Sequence, residues 1–72
     1  MNQEKVEFLR KVYKKGTKVR CRQMEDPYSP VPKDTIGIIE FVDDMGQIHV
    51  KWENGSSLAL IYGVDLFETI FD

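Results

Sequence analysis

Few side chains in this sequence could carry chemistry, and their spacing keeps them apart. His49 is the only histidine and Cys21 the only cysteine. A nucleophile needs an adjacent base, and that base needs a third group to orient it. His49 sits in Gln47-Ile48-His49-Val50-Lys51-Trp52, which alternates with period two. Ile48, Val50 and Trp52 share the inward face of such a strand, and His49 falls on the outer one. A surface histidine is therefore a better reading than a catalytic one. Cys21 shares the inward face of its own strand with Thr17 and Val19, where a packed, unreactive thiol is expected. Asp43 and Asp44 adjoin, but neighbouring strand-end residues point apart, so they suit a turn better than paired acid–base work. The glycines are scattered singly, and no phosphate-cradling loop results. One thiol makes no internal disulfide, and one thiol with one imidazole does not close a zinc site. The expectation is a non-enzymatic chain with no catalytic residue, no metal site and no cofactor.

Two sets of residues remain as candidate binders. Tyr28 sits in residues 24–34 with all three prolines, Pro27, Pro30 and Pro32. Such a segment is an extended loop of restricted backbone, and loops carry binding residues on rigid scaffolds. Tyr28, Pro30 and Pro32 could form one wall of a peptide groove. Equally, the Tyr28 ring could fold back over the end of the domain. The second set is basic: Lys14 and Lys15, followed by Lys18, Arg20 and Arg22 alternating along one strand face. Five such charges could contact a phosphate backbone. No aromatic residue alternates with them, however, and the sequence pI of about 5.3 is not that of a typical nucleic-acid binder. Pairing with acids such as Glu40 or Glu68 is the preferred reading of the stripe. A protein or peptide partner is thus expected first, and a nucleic acid second.

These residues have to be placed by regular elements, and residues 35–65 show the plan most clearly. Residues 35–42 are rich in β-branched and aromatic side chains, with Gly37 at a bend, and Asp43-Asp44-Met45-Gly46 closes them as a turn. Residues 47–52 form the next strand. Asn54-Gly55 predicts a type I′ hairpin with both residues at positive φ. Residues 57–61 follow, with Leu58 and Leu60 inward, and Trp52, Phe41, Leu58 and Leu60 are expected in the core. Residues 62–65 read as a tight turn. Residues 66–71 read as a closing strand, with a short helix as the alternative. Residues 17–23 make the first strand. Ahead of it, residues 2–15 predict a helix, capped by Asn2 and ended by Gly16, with Val6, Leu9 and Tyr13 in one stripe widened by Phe8 and Val12. So short a stripe needs a surface to dock on, either the chain's own sheet or a second copy.

Five short strands, a long first loop, tight later turns and a turn before the last strand describe a mainly β chain. The expected fold is a small SH3-like five-stranded antiparallel barrel with an N-terminal amphipathic helix, divided as helix 1–15 and barrel 16–72. At 72 residues the core is thin, since a chain of about 60 residues buries only about 60% of its unfolded surface. The net charge is −2, but residues 1–24 carry eight basic side chains against two acidic ones, and the remainder two against ten. That asymmetry fits a polyanion partner or two halves that face each other. No apolar run is long enough to span a bilayer, and the first residues lack the apolar core of a signal peptide. With a solitary thiol, these features predict a cytoplasmic protein with no membrane contact, as a monomer or a homodimer through its helix.

Residues 16–67 also resemble a known group. The resemblance rests on Gly16-Thr17-Lys18-Val19-Arg20, Asp26-Pro27-Tyr28 with Pro30-Val31-Pro32, and Thr35-Ile36-Gly37. It continues through Glu40-Phe41-Val42-Asp43-Asp44, Gly46-Gln47-Ile48-His49-Val50 and Trp52-Glu53-Asn54-Gly55, to Leu58-Ala59-Leu60-Ile61 and Gly63-Val64-Asp65. These residues resemble the small bacterial proteins grouped as Domain of Unknown Function 4314, which implies the barrel and no activity. More loosely, Val50, Trp52, Glu53, Gly55 and Gly63 are similar to the closing hairpin of Mind-bomb/HERC-type barrels, which bind peptides. The shared positions are turn and core positions, so common geometry is implied more than common partners.

Overall fold

The computed structural model describes residues 2–71. Residues 1 and 72, the outer limits of the expected helix and barrel segments, lie outside the described residues. Asn2 opens the helix α1 (Gln3–Val12): its Oδ1 accepts the Lys5 N–H at 2.8 Å. Glu4 in the first turn and Arg10 and Lys11 in the last complement the helix dipole. Val6 and Leu9 are fully buried. Phe8 and Val12, expected to widen the buried stripe, instead lie 54% and 47% exposed. The helix covers only one narrow seam of the sheet, and their positions fall outside it.

α1 ends three residues before the expected limit at 15. Tyr13 leaves helical geometry at φ −106° and ψ 76°, its N–H still bonded to the Leu9 carbonyl. Its ring turns inward, 5.4 Å from Phe67 and 6.0 Å from Tyr62 between centroids. A half-buried aromatic contact thus replaces a further turn of lysines. Gly16 is left-handed as expected, at φ +92°, but it does not end the helix. Its N–H bonds to Ile39, and Ile39 N–H bonds to Thr17, so this corner is drawn onto the sheet.

Five strands follow: β1 (Lys18–Gln23), β2 (Ile36–Val42), β3 (Gln47–Trp52), β4 (Leu60–Ile61) and β5 (Leu66–Ile70). They form one antiparallel sheet in the order β4-β3-β2-β1-β5. This is the SH3-like plan, with residues 66–70 settled as strand rather than helix. The inward side chains Val19, Cys21, Ile39, Val42, Ile48, Val50, Trp52 and Leu60 meet Leu9 and Val31 in one cluster. The helix therefore docks on its own sheet, against β2, and Arg10 fastens it there. The Arg10 Nε–H donates to the Val42 carbonyl and Nη2 meets Asp44 Oδ1 at 2.8 Å. Gly37 faces Trp52 across the β2–β3 ladder, and a side chain there would run into Val50 and lie 2.7 Å from the indole.

Three expectations about β2 to β4 need correction. Phe41 is not core but 53% exposed. The β2–β3 register shifts between Ile39 and Phe41, so Glu40 is an extra residue that reverses the facing of everything after it. The Asn54-Gly55 turn is not type I′. Gly55 has φ +85°, while Asp34 is the only non-glycine at positive φ among the described residues. The Gly55 N–H bonds to Trp52, and Asn54 spends its side chain on the Ser56 N–H. Finally, β4 is two residues long rather than residues 57–61. The Trp52 indole N–H donates to the Leu58 carbonyl at 2.8 Å, so the chain has to pass around the ring before it can pair.

The docking of α1 predicts a sharp contrast between neighbouring residues. Leu9→Ala should cost about 2–5 kcal/mol, the usual result of emptying a buried leucine site. Phe8→Ala should stay within about 0.5 kcal/mol, as exposed substitutions do. Denaturant unfolding of the two variants measures both, and equal midpoints would rule the docking out.

Candidate functional site

The loop between β1 and β2 is held at several points, and its tip is left free. Glu25 N–H donates to Asp65 Oδ1 at 2.7 Å, which fixes the start. Asp34 N–H donates to the Cys21 carbonyl at 2.7 Å, which fixes the end. Between them Val31 is buried to 3% exposure, its N–H directed at Met24 Sδ and its carbonyl accepting from Cys21 Sγ–H. Val31, rather than Tyr28, plugs the core from this loop. Sequence reading missed this plug, although a lone apolar residue between Pro30 and Pro32 was the available signal. Asp26 Oδ2 accepts the Ser29 N–H at 2.8 Å, closing a small turn that lifts Tyr28 to 92% exposure. Pro30 and Pro32 are exposed on either side of Val31. Tyr28, Pro30 and Pro32 thus share one outward loop on a restrained backbone.

The basic residues do not act as one set. Arg20 pairs with Glu68 on β5 at 3.4 Å, and Arg22 pairs with Asp34 at 3.1 Å and Glu68 at 3.8 Å. Strand pairing explains the choice, because Arg20 lies directly opposite Glu68 in the β1–β5 ladder. Lys18 is half-buried, while Lys14 and Lys15 are exposed on the corner between α1 and β1. Exposed pairs of this kind contribute about 0–1 kcal/mol each, so they direct charge more than they stabilise.

A third group of residues comes together on the outer face of the β2–β3 hairpin. His49 Nε2 lies 2.8 Å from Asp43 Oδ2, and the imidazole stacks on Phe41 at 4.3 Å with only 10° between the planes. The other Asp43 oxygen accepts the Met45 and Gln47 N–H groups, both at 2.9 Å. The hydrogen bond from His49 holds the Asp43 carboxyl below its usual range, and the backbone bonds from Gln47 and Met45 act in the same direction. The alternation along β3 placed His49 outside correctly. The Glu40 bulge then delivers Phe41 to the same face, and no local pattern announced it. Asp43 thus links His49 to the turn as a brace, one carboxylate oxygen on the imidazole and the other on two turn N–H groups. Cys21 is fully buried, and burial first, then the Asp65 carboxylate, pushes its thiol pKa up, which keeps it protonated and unreactive.

Comparison with known families bears on this arrangement. The model of the family described as a domain of unknown function, DUF4314, matches residues 2–70. The chain belongs to this family. The match takes in α1 as well as the sheet, so the helix is part of the DUF4314 domain and not an addition to the resemblance over residues 16–67. Comparison with curated proteins and with solved structures finds no match. In this DUF4314 domain the positions of the looser hairpin likeness do what turn and core positions do: Val50 and Trp52 are buried, and Gly55 and Gly63 are left-handed.

The lowered Asp43 carboxyl has a consequence for stability against pH. Its native pKa lies below the value of about 3.9 for an unfolded aspartate, so the stability it contributes is complete above that value. That contribution is lost as pH falls through the native pKa. Unfolding free energies between neutral and strongly acid pH should fall less steeply for Asp43→Asn than for the wild type. Parallel curves would show that the brace adds nothing.

Proposed function

We propose that this DUF4314 domain is a non-enzymatic protein- or peptide-interaction module that binds through the loop bearing Tyr28, Pro30 and Pro32. The observation behind the proposal is the Tyr28 ring, 92% exposed on a loop whose ends are tied down. Aromatic side chains of this size bury roughly 150–250 Å² when they find a partner. A backbone already ordered by prolines and by the Asp26 turn loses little entropy in doing so. Tyrosine is also enriched at interfaces, where its ring is apolar and its hydroxyl stays wet. The lone buried thiol suits a reducing, cytoplasmic setting.

The nucleic-acid reading at Lys14, Lys15, Lys18, Arg20 and Arg22 receives less support. Arg20 and Arg22, which would have to meet phosphates, already face Glu68 and Asp34. An incoming phosphate would have to displace those carboxylates. Charge alone therefore does not favour that surface over the loop.

Tyr28→Ala should melt with the wild type and lose the protein captured by the wild-type domain from a lysate of its host. Trp52→Ala, at a core position 3% exposed, should instead be largely unfolded, because such truncations cost about 3–5 kcal/mol. Undiminished capture by Tyr28→Ala would remove the loop from the interface. Tight nucleic-acid binding that weakens steeply with salt would move the function to the basic stripe.

A further inference from the structure

The two edges of the sheet are treated differently. At β4 the edge is two residues long, and the Ile61 N–H is taken by Asp65 Oδ2 at 2.8 Å. At β5 the edge is five residues long, and beyond its ladder to β1 no backbone hydrogen bond reaches it among the described residues. An open row of N–H and C=O groups of this length is a template for another strand, and sheets ordinarily blunt or cover it. Here it is uncovered, and Phe71, just beyond its last residue, is 85% exposed.

Beside this edge runs a groove of about 600 Å³ between the end of α1 and β5. Phe67 on β5 and Phe71 just past its end line it together with Val12 and Tyr13 at the end of α1, the Tyr13 and Phe67 rings lying 5.4 Å apart between centroids. Lys11 and Lys14 also line it. Both are exposed, and neither has an ion-pair partner among the described residues, in contrast to Arg10, Arg20 and Arg22. The one acid in the lining, Glu68, is occupied by Arg20 and Arg22. The groove is thus apolar inside and positive at the rim.

We propose that this groove takes an extended peptide that carries apolar and acidic side chains together on one strand face, and that it adds to the outer edge of β5 as a sixth strand. Its backbone pairs with β5, its apolar side chains enter between Tyr13 and Phe71, and its carboxylates meet Lys11 and Lys14. Strand addition of this kind draws affinity from main-chain hydrogen bonds and specificity from pockets for alternate side chains. Charge selects the occupant. A second copy docked edge to edge about a two-fold axis would offer only its own β5, whose one acid, Glu68, is occupied by Arg20 and Arg22, whereas an acidic segment complements the lysine rim. The surface shares no lining residue with the Tyr28 loop and does not depend on it.

The test uses a fluorescein-labelled peptide of about seven residues, within the usual strand range, with glutamate, valine, valine and glutamate at alternate positions and threonine between them, and lysine in place of glutamate in the control. Wild type and Tyr28→Ala should bind the acidic peptide alike and the basic one not at all. Lys11→Glu with Lys14→Glu should weaken binding about tenfold, the scale of two exposed pairs turned repulsive. If that double reversal lowers the melting temperature, Lys11→Gln with Lys14→Gln provides the same comparison through a smaller loss. Amide hydrogen exchange at residues 66–70 should slow when the peptide is bound. Absence of saturable binding, binding without new protection at residues 66–70, or equal affinity for the basic peptide would each overturn the proposal. So would a wild-type dimer with those amides already protected, which would assign the edge to a second copy.

Discussion

Asp65, a carboxylate only 7% exposed, sits where the chain leaves β4 and enters β5, and it spends both oxygens on backbone N–H groups. One belongs to Ile61 on β4 and the other to Glu25 in the loop after β1. Hydrogen bonds to an ionised acceptor are about twice as strong as neutral ones, and a buried donor left without a partner costs about 1–3 kcal/mol. A single side chain therefore joins segments that no ladder connects, since β4 and β5 are the outer strands of the sheet order. The Tyr28 loop starts from this joint, the β4 edge is sealed by it, and the buried Cys21 thiol feels its charge. The β5 edge, on the far side of β1, is left out of the arrangement.

The contrast between the basic beginning of the chain and its acidic remainder is largely settled inside the fold. Arg10 reaches Asp44 in the β2–β3 turn, Arg20 reaches Glu68, and Arg22 lies between Asp34 and Glu68. These are guanidinium–carboxylate contacts between elements distant in sequence, and a planar fork of donors suits them better than an ammonium group does. Lys11, Lys14 and Lys15 stay outward on α1 and the corner after it. What charge the domain offers to others at that end is thus carried by lysines rather than by the stripe as a whole.

Period-two alternation reads correctly along a strand only while the count stays unbroken. It held for β3, where Ile48, Val50 and Trp52 turn inward and His49 outward. It failed for Phe41, because one extra residue at Glu40 carried an aromatic ring from the core to the surface and laid it on His49. A second shift between Cys21 and Gln23 leaves Arg22 exposed at the end of β1. In each case a local insertion is compensated by pairing with a strand elsewhere in the chain, so no short window of residues contains the information. The helix shows the same limit. Its stripe through Val6 and Leu9 was legible, but its stopping point was set by Tyr62 and Phe67, some fifty residues away, which draw Tyr13 inward.

By itself, the order of residues determined the number of strands, the inward faces of β1 and β3, the capped helix and the left-handed glycines at 16 and 46. These follow from side-chain periodicity and from backbone conformations that few residue types tolerate, and both are local properties. The tertiary structure alone decided that Val31 plugs the domain while Tyr28 stands clear, and that Asp43 braces His49. It also decided that Asp65 binds two segments at once and that one edge of the sheet is shut while the other is open. The reason is physical: each of these is a choice among partners that become neighbours only after the chain has closed, and their free energy depends on burial that no single segment possesses.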